Sequence, residues 1–303
     1  MNKAVTIGSF DGMHRGHYLV LDVLKNEASA RNLKPMAITF DRHPLELIAP
    51  EKAPGNLMSP ARKIELIQKC GVTPELLSFT SELRNMRASE WLRHINSKYG
   101  VSLIVLGYDN TFGCDGASLD ISDFLAMGNA IGVDVVRAPQ VEGVSSSAVR
   151  KAVKYGDIVA ARDLLGHLPE LEGHVMHGFK VGRNIGFPTA NLQVSPRMVM
   201  PLAGSYAAFA NVEGNDCLHS FPAMVNIGMR PTYEGTDSAS VAPSVEAHII
   251  GFDGDLYGKY VRLEFVNRLR AEKRFESVGE LRTQLEKDRL DTIRICEDNV
   301  CRK

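Results

Sequence analysis

The chain has 303 residues and a formal net charge of −1 at pH 7, with 44% hydrophobic and 23% charged residues. These proportions are those of a globular protein, and a chain of this length predicts about two domains. Because the total charge is close to zero, a general affinity for nucleic acid or for a membrane surface is not expected. Any phosphate binding must then come from local sites.

The cysteines and the apolar runs indicate where the protein works. Five cysteines are scattered along the chain and none forms a CxxC pair, which predicts reduced thiols rather than disulfides or a zinc site. No apolar run reaches the ~18 residues that a membrane span needs. The N-terminus enters a predicted strand at once, without a signal peptide. We therefore expect a cytoplasmic protein with no membrane among its partners.

The first predicted strand, residues 5–7, leads into a glycine-rich turn with two histidines, GSFDGMHRGH. Glycine allows the backbone to approach a ligand closely, and a helix that begins near Gly16 favours phosphate at its N-terminus. His14 and His17 are three residues apart and can face the same ligand from the first helical turn. Imidazole donates hydrogen bonds to phosphate oxygens and carries positive charge near neutral pH. The stretch therefore predicts a nucleotide-phosphate site with two histidines at the reacting phosphorus.

The rest of the first half alternates strands and helices, which predicts a parallel, doubly wound sheet. The loop after the second predicted strand contains His43, which either faces a nucleotide or caps the loop. Further strands are predicted at 36–40, 76–79, 103–106 and 133–137, and helices at 16–31, 63–70, 89–99, 121–131 and 157–165.

Two polar segments of this half are further candidates for ligand binding. The loop GYDNTFG, residues 107–113, follows a buried strand at the edge where an open α/β sheet binds ligand. Its Asp109 either contacts that ligand or caps the turn. In GVSSSAVR, the serines either cap a helix or hold an anion, with Ser146, Ser147 and Arg150 as donors.

From residue 171 the pattern changes, and we place the domain boundary near residues 168–172. Short runs rich in Val, Tyr, Phe and Ala are separated by Gly and Pro, as in EGHVMHG, GSYAAFANV and KYVRLEFV. Several short strands with turn signals predict an all-β barrel or sandwich. A final helix is predicted from about Ser277, where Glu280 completes a capping-box pattern. The pattern of this helix indicates no chemistry of its own.

The second half carries its own glycine-rich loop, within GFKVGRNIGFPTANL. Gly178, Gly182 and Gly186 recur every four residues, with Lys180 and Arg183 between them. A flexible basic loop suits a polyphosphate better than a purely structural hairpin does.

Two polar segments beyond this loop are candidates for metal binding and proton transfer. Thr189 and Asn191 occupy alternate positions of an extended segment, so their oxygens lie on one face and suit Mg²⁺; a simple turn is the alternative. In SVEAHIIGF, Glu246 lies on the opposite face from Val245 and Ala247. Such a carboxylate is either solvated or salt-bridged, or it serves as a base near metal and phosphate.

GSFDGMHRGH resembles the HxGH signature of the nucleotidyltransferases and, more narrowly, the GxFDGxHxGH form of FAD synthetases. The serine-rich segment is similar to the ISSTxxR-like motif that closes the same domain. Ser147 stands for the usual threonine and keeps the hydroxyl, Ala148 replaces a frequent arginine, and Asn110 stands where an aromatic is usual. The resemblance implies adenylyl transfer by His14 and His17. It also implies ATP binding by Gly8, Ser9, Phe10, Asp11, Gly12, Asp109, Ser146, Ser147 and Arg150.

The second half resembles riboflavin kinase. GRNIGFPTANL is similar to GRxxGFPTANL, NIGMRPT to NIGxRPT, LRAEKRF to LRxExxF, and VEAHIIGFDGDLYG to VExHxxDFxxDLYG, with Gly251 in place of an acidic residue. The resemblance implies that Thr189 and Asn191 hold Mg²⁺ with ATP and that Glu246 is the general base. It further implies ATP binding by Gly178, Lys180, Gly182, Arg183 and Asn226, and flavin binding by Arg270 and Phe275.

Along nearly its full length the chain resembles the prokaryotic bifunctional riboflavin kinase/FAD synthetases. This implies an α/β nucleotidyltransferase domain at 1–168 and an all-β barrel with a terminal helix at 171–303. The barrel would convert riboflavin and ATP to FMN and ADP, and the first domain would convert FMN and ATP to FAD and pyrophosphate. Two alternatives remain. Another HxGH enzyme would lack the β half, and a flavin-binding sensor would carry a degenerate first domain.

Overall fold

The computed structural model describes residues 2–177, 185–214, 220–231 and 241–300. The chain divides into two units, Met1–Ser146 and Ser147–Lys303. The first unit is built on a parallel sheet and the second on a closed barrel.

All the strand pairings of the first unit are parallel, as predicted for a doubly wound sheet, and the order across the sheet is β3-β2-β1-β4-β5. The strand order reverses between β1 and β4, and the crevice at their carboxyl ends is where such sheets bind ligands. In chain order the strands are β1 (Lys3–Ile7), β2 (Lys34–Phe40), β3 (Thr73–Leu77), β4 (Val101–Leu106) and β5 (Asp134–Arg137).

Apolar layers cover both faces of this sheet, because successive residues of a strand point to opposite sides. On one face Ala4 packs with Leu21 and Leu24. On the other face Val5 packs with Trp91. The helices of this unit are α1 (Arg15–Ala30), α2 (Pro44–Ile48), α3 (Pro60–Lys69), α4 (Ser81–Asn85), α5 (Ala88–Tyr99) and α6 (Ile121–Asn129).

Two elements of this unit begin three residues before their predicted starts, for local reasons. Helix α3 begins three residues before its predicted start, because the Ser59 hydroxyl caps it by accepting a hydrogen bond from the Arg62 amide at 3.1 Å. Strand β3 lies at 73–77 instead of 76–79 and includes Pro74. Proline cannot donate to a strand ladder and is tolerated here because β3 is an edge strand. The short helices α2 and α4 were not predicted.

The second unit is a closed antiparallel barrel in the order β10-β7-β6-β11-β8-β9, which confirms the predicted barrel. Alternate strand residues such as Val225, Val245 and Leu263 fill its interior. The strands are β6 (Glu170–Met176), β7 (Ala190–Val194), β8 (Gly204–Val212), β9 (Phe221–Pro231), β10 (Val241–Ile249) and β11 (Tyr260–Ala271).

Three helices accompany the barrel: α7 (Ser146–Lys154), α8 (Ile158–Leu165) and α9 (Val278–Val300). Ile158 of α8 enters the barrel core, and α9 packs across β8, β9 and β11. Helix α9 begins within one residue of its predicted start, where the Ser277 hydroxyl accepts a hydrogen bond from the Glu280 amide at 3.2 Å. Near its end, Cys296 is 1% exposed, and burial raises the pKa of its thiol to about 12.

Gly173 of β6 has no room for a side chain, because a Cβ there would lie 2.3 Å from the main-chain oxygen of Gln193 on β7. We expect Gly173→Ala to lower the free energy of unfolding of the barrel by about 1–3 kcal/mol, since the paired strands must shift. Denaturant unfolding followed by circular dichroism measures the loss.

Gly279→Ala is the matched control. A Cβ at Gly279 would meet only the Ser277 hydroxyl at 3.8 Å, and alanine in a helix is about 0.5–1 kcal/mol more favourable than glycine. The steric argument fails if Gly173→Ala unfolds at the same denaturant concentration as the unmodified chain.

Candidate active sites

The turn between β1 and α1 is held in an uncommon backbone conformation. Phe10 and Met13 have φ values of 48° and 42°, and Gly12 has 81°. Positive φ is costly for residues other than glycine and persists where the surroundings enforce it, often at functional sites. Here the enforcement is burial, since Phe10 is 2% exposed and Met13 is fully buried. The side chain of Phe10 therefore belongs to the core, and its backbone is the part that can meet a ligand.

His14 and His17 lie side by side at the start of α1. Their rings stack with centroids 3.6 Å apart and an interplanar angle of 15°, and the Phe10 ring lies 5.1 Å from that of His17. Burial, the neighbouring His14 and the Lys63 ammonium lower the pKa of His17 well below its usual value. Desolvation therefore favours the neutral ring of His17 over the charged form that imidazole can carry near neutral pH.

The Nδ1 atom of His17 is buried and has no hydrogen-bond partner within the described part of the chain. A buried polar atom without a partner is uncommon in folded proteins, and a catalytic or ligand-binding role is one explanation for it. The nitrogen lies at the carboxyl end of β1, beside the crevice where a sheet of this kind binds its ligand.

Asp11 and Ser146 fix the shape of the turn. The Asp11 carboxylate accepts a hydrogen bond from the Leu57 amide at 2.9 Å. The Ser146 hydroxyl donates to the main-chain oxygen of Asp11 at 2.9 Å. Both predicted site residues thus have structural partners. The Ser146 oxygen can still accept a hydrogen bond, and the Ser146 amide lies at the start of α7, where amides have no partner inside the helix.

The neighbouring strand end contributes a second polar loop. Asp109 follows β4 and is exposed to solvent. Asn110 donates a side-chain hydrogen bond to the main-chain oxygen of Ile7, the last residue of β1. The asparagine that stands where an aromatic is usual therefore ties the two strand ends on either side of the crevice.

Helix α7 continues the serine-rich segment. Ser147 is exposed and Arg150 is 8% exposed.

His43, whose role was open, caps α2: its Nδ1 accepts a hydrogen bond from the Leu45 amide at 3.1 Å, and Glu46 accepts one from the His43 amide at 3.2 Å. The capping alternative for His43 is confirmed.

Lys63 of α3 is a residue of this site that the motifs did not indicate. Its ammonium donates to the main-chain oxygens of Ser9 and Phe40, both at 2.8 Å, and so joins the turn after β1 to the last residue of β2. Burial lowers the pKa of Lys63 to about 8, against the opposing effect of Asp11 and Asp41. The same residues line a small open cleft.

The signal for Lys63 was present in the helix pattern. Lys63, Leu66 and Ile67 are at i, i+3 and i+4, so the lysine occupies the apolar face of α3. A lysine on such a face must either reach solvent or find acceptors inside. Which carbonyl oxygens it finds depends on the tertiary structure.

The barrel brings a second set of polar residues together on its outer surface. Glu246 of β10 pairs in register with Asn191 of β7 and with Asn226 of β9. Asn226 pairs with Ser205 of β8, and Ser205 pairs with Arg270 of β11. We call these five residues the polar row. The strand neighbours of Asn191, Asn226 and Glu246 face the barrel core, as does Tyr206 beside Ser205, so these four members of the polar row face outward.

Thr189 lies at one end of the polar row. Its hydroxyl donates a hydrogen bond to Oε2 of Glu246 at 3.3 Å. Thr189 is exposed, whereas Asn191 and Glu246 are half-buried. Within the described residues, three or more His, Cys, Asp or Glu side chains do not gather into a metal cluster. The hydroxyl and amide oxygens of Thr189 and Asn191 fit a cation that takes few protein ligands and shares a substrate's phosphates, as Mg²⁺ does.

Arg270 and Phe275 lie near the other end. The Arg270 guanidinium is 5.6 Å from the centre of the Phe275 ring. Its Nε and Nη2 donate to Oδ2 of Asp288 on α9, at 2.9 and 2.8 Å. The terminal helix, for which the sequence indicated no chemistry, therefore meets a predicted flavin residue. The predicted ATP residues Gly178, Lys180, Gly182 and Arg183 lie outside the described residues.

A histidine pair at the switch point of a parallel sheet and a carboxylate beside a threonine on a closed barrel define a two-part enzyme class, a nucleotidyltransferase joined to a kinase. Comparison with known families gives the same division. Residues 1–150 match the family model for FAD synthetase, and residues 165–296 match the one for riboflavin kinase.

The chain belongs to the bifunctional riboflavin kinase/FMN adenylyltransferase family. It is 35% identical to the Escherichia coli K12 protein of that name over 292 residues, which are 94% of this chain and 90% of the relative. It is 31% identical to the Bacillus subtilis protein over 296 residues, with 96% and 92% covered. The matched families are ATP-dependent and generally use a divalent metal.

One solved structure has the same fold over most of the chain. The crystal structure named "Macrolide-efflux Protein from Streptococcus pneumoniae" has a TM-score of 0.84 and 30% identity, and covers 96% of this chain and 93% of that one. Among the described residues of this chain, no helix is both long and apolar enough to cross a membrane.

We expect the contribution of Lys63 to stability to depend on pH. Folding lowers its pKa from 10.5 to about 8, so between these values the unfolded chain binds more protons and stability rises with pH. Lys63→Met lacks this gain. The difference in unfolding free energy between the unmodified chain and the variant should therefore grow by about 1–3 kcal/mol from pH 8 to pH 10.

Trp91 gives the readout, because it is the one tryptophan of the chain and is buried in the core of the sheet unit. Urea unfolding followed by its fluorescence at both pH values measures the difference. Lys69→Met is the control, since Lys69 lies on the same helix with its side chain 63% exposed. Equal pH trends in the two variants would contradict the assignment.

Proposed function

We propose that this chain catalyses two successive ATP-dependent reactions of flavin metabolism. The barrel unit phosphorylates riboflavin to FMN and releases ADP, and the sheet unit adenylylates FMN to FAD and releases pyrophosphate. One observation carries this proposal: an FAD synthetase match and a riboflavin kinase match lie in that order on one chain. A different HxGH transferase would have no reason to carry the second match.

In the proposed kinase site, Glu246 is the general base. Its carboxylate accepts the proton of riboflavin's terminal ribityl hydroxyl as that oxygen attacks the γ-phosphorus of ATP. The bond from this phosphorus to the bridging oxygen breaks, and ADP leaves. The hydrogen bond from Thr189 supports this role, because it holds Glu246 in one orientation on the polar row.

Thr189 and Asn191 are the proposed ligands of Mg²⁺, and their neutral oxygens leave the remaining positions to water and ATP. The bound metal supplies positive charge against the phosphates during transfer. The proposed ATP contacts of the chain itself are Asn226 and the glycine-rich loop residues Gly178, Lys180, Gly182 and Arg183. Arg270 and Phe275 are the proposed contacts to the flavin ring.

In the proposed adenylyltransferase site, an oxygen of the FMN phosphate attacks the α-phosphorus of ATP. The bond to the α–β bridging oxygen breaks, and pyrophosphate leaves. Since the attacking oxygen is already anionic, the step needs stabilisation of charge rather than a base. His14, His17 and the amide groups at the start of α1 supply it. The remaining proposed ATP contacts are Gly8, Ser9, Phe10, Asp11, Gly12, Asp109, Ser146, Ser147 and Arg150.

The neutral state of His17 agrees with this assignment. A neutral imidazole still offers one N–H donor, and stacked rings 3.6 Å apart would repel each other if both were charged. We place the adenylyltransferase domain at 1–168 and the kinase domain at 171–303, in a cytoplasmic enzyme.

We expect Glu246→Gln to lower the rate of FMN formation by about 10²–10⁴-fold, because the amide cannot accept the hydroxyl proton. Adenylylation of supplied FMN should persist. Chromatography of flavins after incubation with riboflavin or FMN, ATP and Mg²⁺ measures both. Glu297→Gln, on the exposed side of α9, is the control and should keep both activities.

Conversely, His17→Ala should lower FAD formation by about 10²-fold or more, since a donor to the developing charge is lost. Conversion of riboflavin to FMN should continue. His94→Ala, an exposed histidine of α5, is the matched control.

Loss of both activities in a folded His17→Ala protein would contradict the two-site proposal. A chain that binds flavin while forming neither FMN nor FAD would instead be a sensor.

A further inference from the structure

Asp288 is the deepest charged residue on the terminal helix. It is 3% exposed although it lies on α9, whose sequence is largely polar. Its Oδ2 accepts two hydrogen bonds from the Arg270 guanidinium, at 2.9 and 2.8 Å, and one from the Ser205 hydroxyl at 3.4 Å. Its Oδ1 accepts one from the Gln284 amide at 2.8 Å. The carboxylate is thus fully engaged, and two of its partners belong to the polar row.

The polar row connects Asp288 to the proposed base. Three steps between neighbouring strands separate Glu246 from Arg270, by way of Asn226 and Ser205. At about 4.8 Å for each step the two ends are about 14 Å apart. An extended ribityl chain covers about half of this length and the attached tricyclic ring covers the rest, so a riboflavin with its terminal hydroxyl at Glu246 brings its ring near Arg270.

Arg270 also fixes the segment that follows it. Its Nη1 donates to the main-chain oxygen of Ala271 at 3.3 Å, and its guanidinium lies 5.6 Å from the Phe275 ring. Between them, Glu272 turns back over β9: a Cβ on Gly228 would lie 3.2 Å from its Oε1 and 3.4 Å from the Asn226 amide nitrogen. The Glu272 side chain of this segment therefore reaches back toward Asn226, in the middle of the polar row.

We propose that Asp288 is a positioning residue of the kinase site, which holds Arg270 and the segment 271–275 at the riboflavin end of the polar row. This rests on the proposed kinase function. The alternative is a purely structural role, in which the Arg270–Asp288 ion pair only attaches α9 to the barrel. A buried ion pair often adds little to the free energy of unfolding, which argues against that alternative. The two roles differ in what they predict for riboflavin.

Asp288→Asn tests the positioning role. It removes the charge that orients Arg270 and keeps a side-chain oxygen of the same size. We expect the KM for riboflavin to rise about tenfold, as for the loss of one charged hydrogen bond, with kcat and the KM for ATP within about twofold. Quenching of riboflavin fluorescence should give the same shift in Kd without turnover.

Asp291→Asn is the matched control, because Asp291 lies one turn further along α9 in an exposed pair with Arg294. It should leave both constants for riboflavin unchanged. The positioning role is overturned if Asp288→Asn lowers the unfolding midpoint of the barrel while its riboflavin KM equals that of the unmodified chain.

A paired variant, Arg270→Met with Asp288→Leu, covers the case in which Asp288→Asn does not fold. It leaves no uncompensated buried charge and retains packing volume. A folded pair with unchanged riboflavin binding overturns the positioning role, because neither Arg270 nor the carboxylate that orients it would then contribute to binding. If the unmodified chain forms no FMN, the proposed kinase function itself is refuted. This outcome is distinct from a failure of the positioning role, which is seen only in the variants.

Discussion

The hydrogen-bond register of the closed barrel determines which side chains can meet on its outer surface. Each strand alternates between the core and the outside, so a polar residue on one strand can only join polar residues at matching positions on its neighbours. Glu246, Asn226 and Ser205 satisfy this condition on three successive strands. A shift of one residue in any of these pairings would turn a member of the polar row into the apolar core, so the core and the proposed kinase site stabilise the same register.

The sheet unit solves a similar problem with a turn. Burial of the Phe10 and Met13 side chains holds these two residues at positive φ in the segment between β1 and α1. With both side chains in the core, the backbone amides of this segment and the two imidazoles remain on the side of the crevice. The Lys63 ammonium then fixes the turn against the end of β2. In both units, apolar packing fixes most of the backbone, and a few charged groups fix the remaining turns and side chains.

Much of this could be predicted from the sequence because the signals are local. The alternation around Glu246 places it away from the core, and the three-residue spacing of His14 and His17 places them together. The roles of Lys63 and Asp288 could not be predicted because their partners on other elements are 18 to 83 residues away, at positions that only the folded chain brings near. The charge state of His17 escaped for a related reason, since desolvation depends on neighbours that the motif does not contain.

Cys296 gives the terminal helix an internal reporter. Its thiol is 1% exposed, lies two turns beyond Asp288 and is directed at the main-chain oxygen of Ala208 in the barrel wall. A thiol with a pKa of about 12 is almost entirely protonated at neutral pH and shielded from reagents. Alkylation of Cys296 therefore requires the helix to leave the barrel, and its rate measures how often that local opening occurs. The same opening would separate Asp288 from Arg270, so the alkylation rate of Cys296 also reports how long this ion pair stays closed.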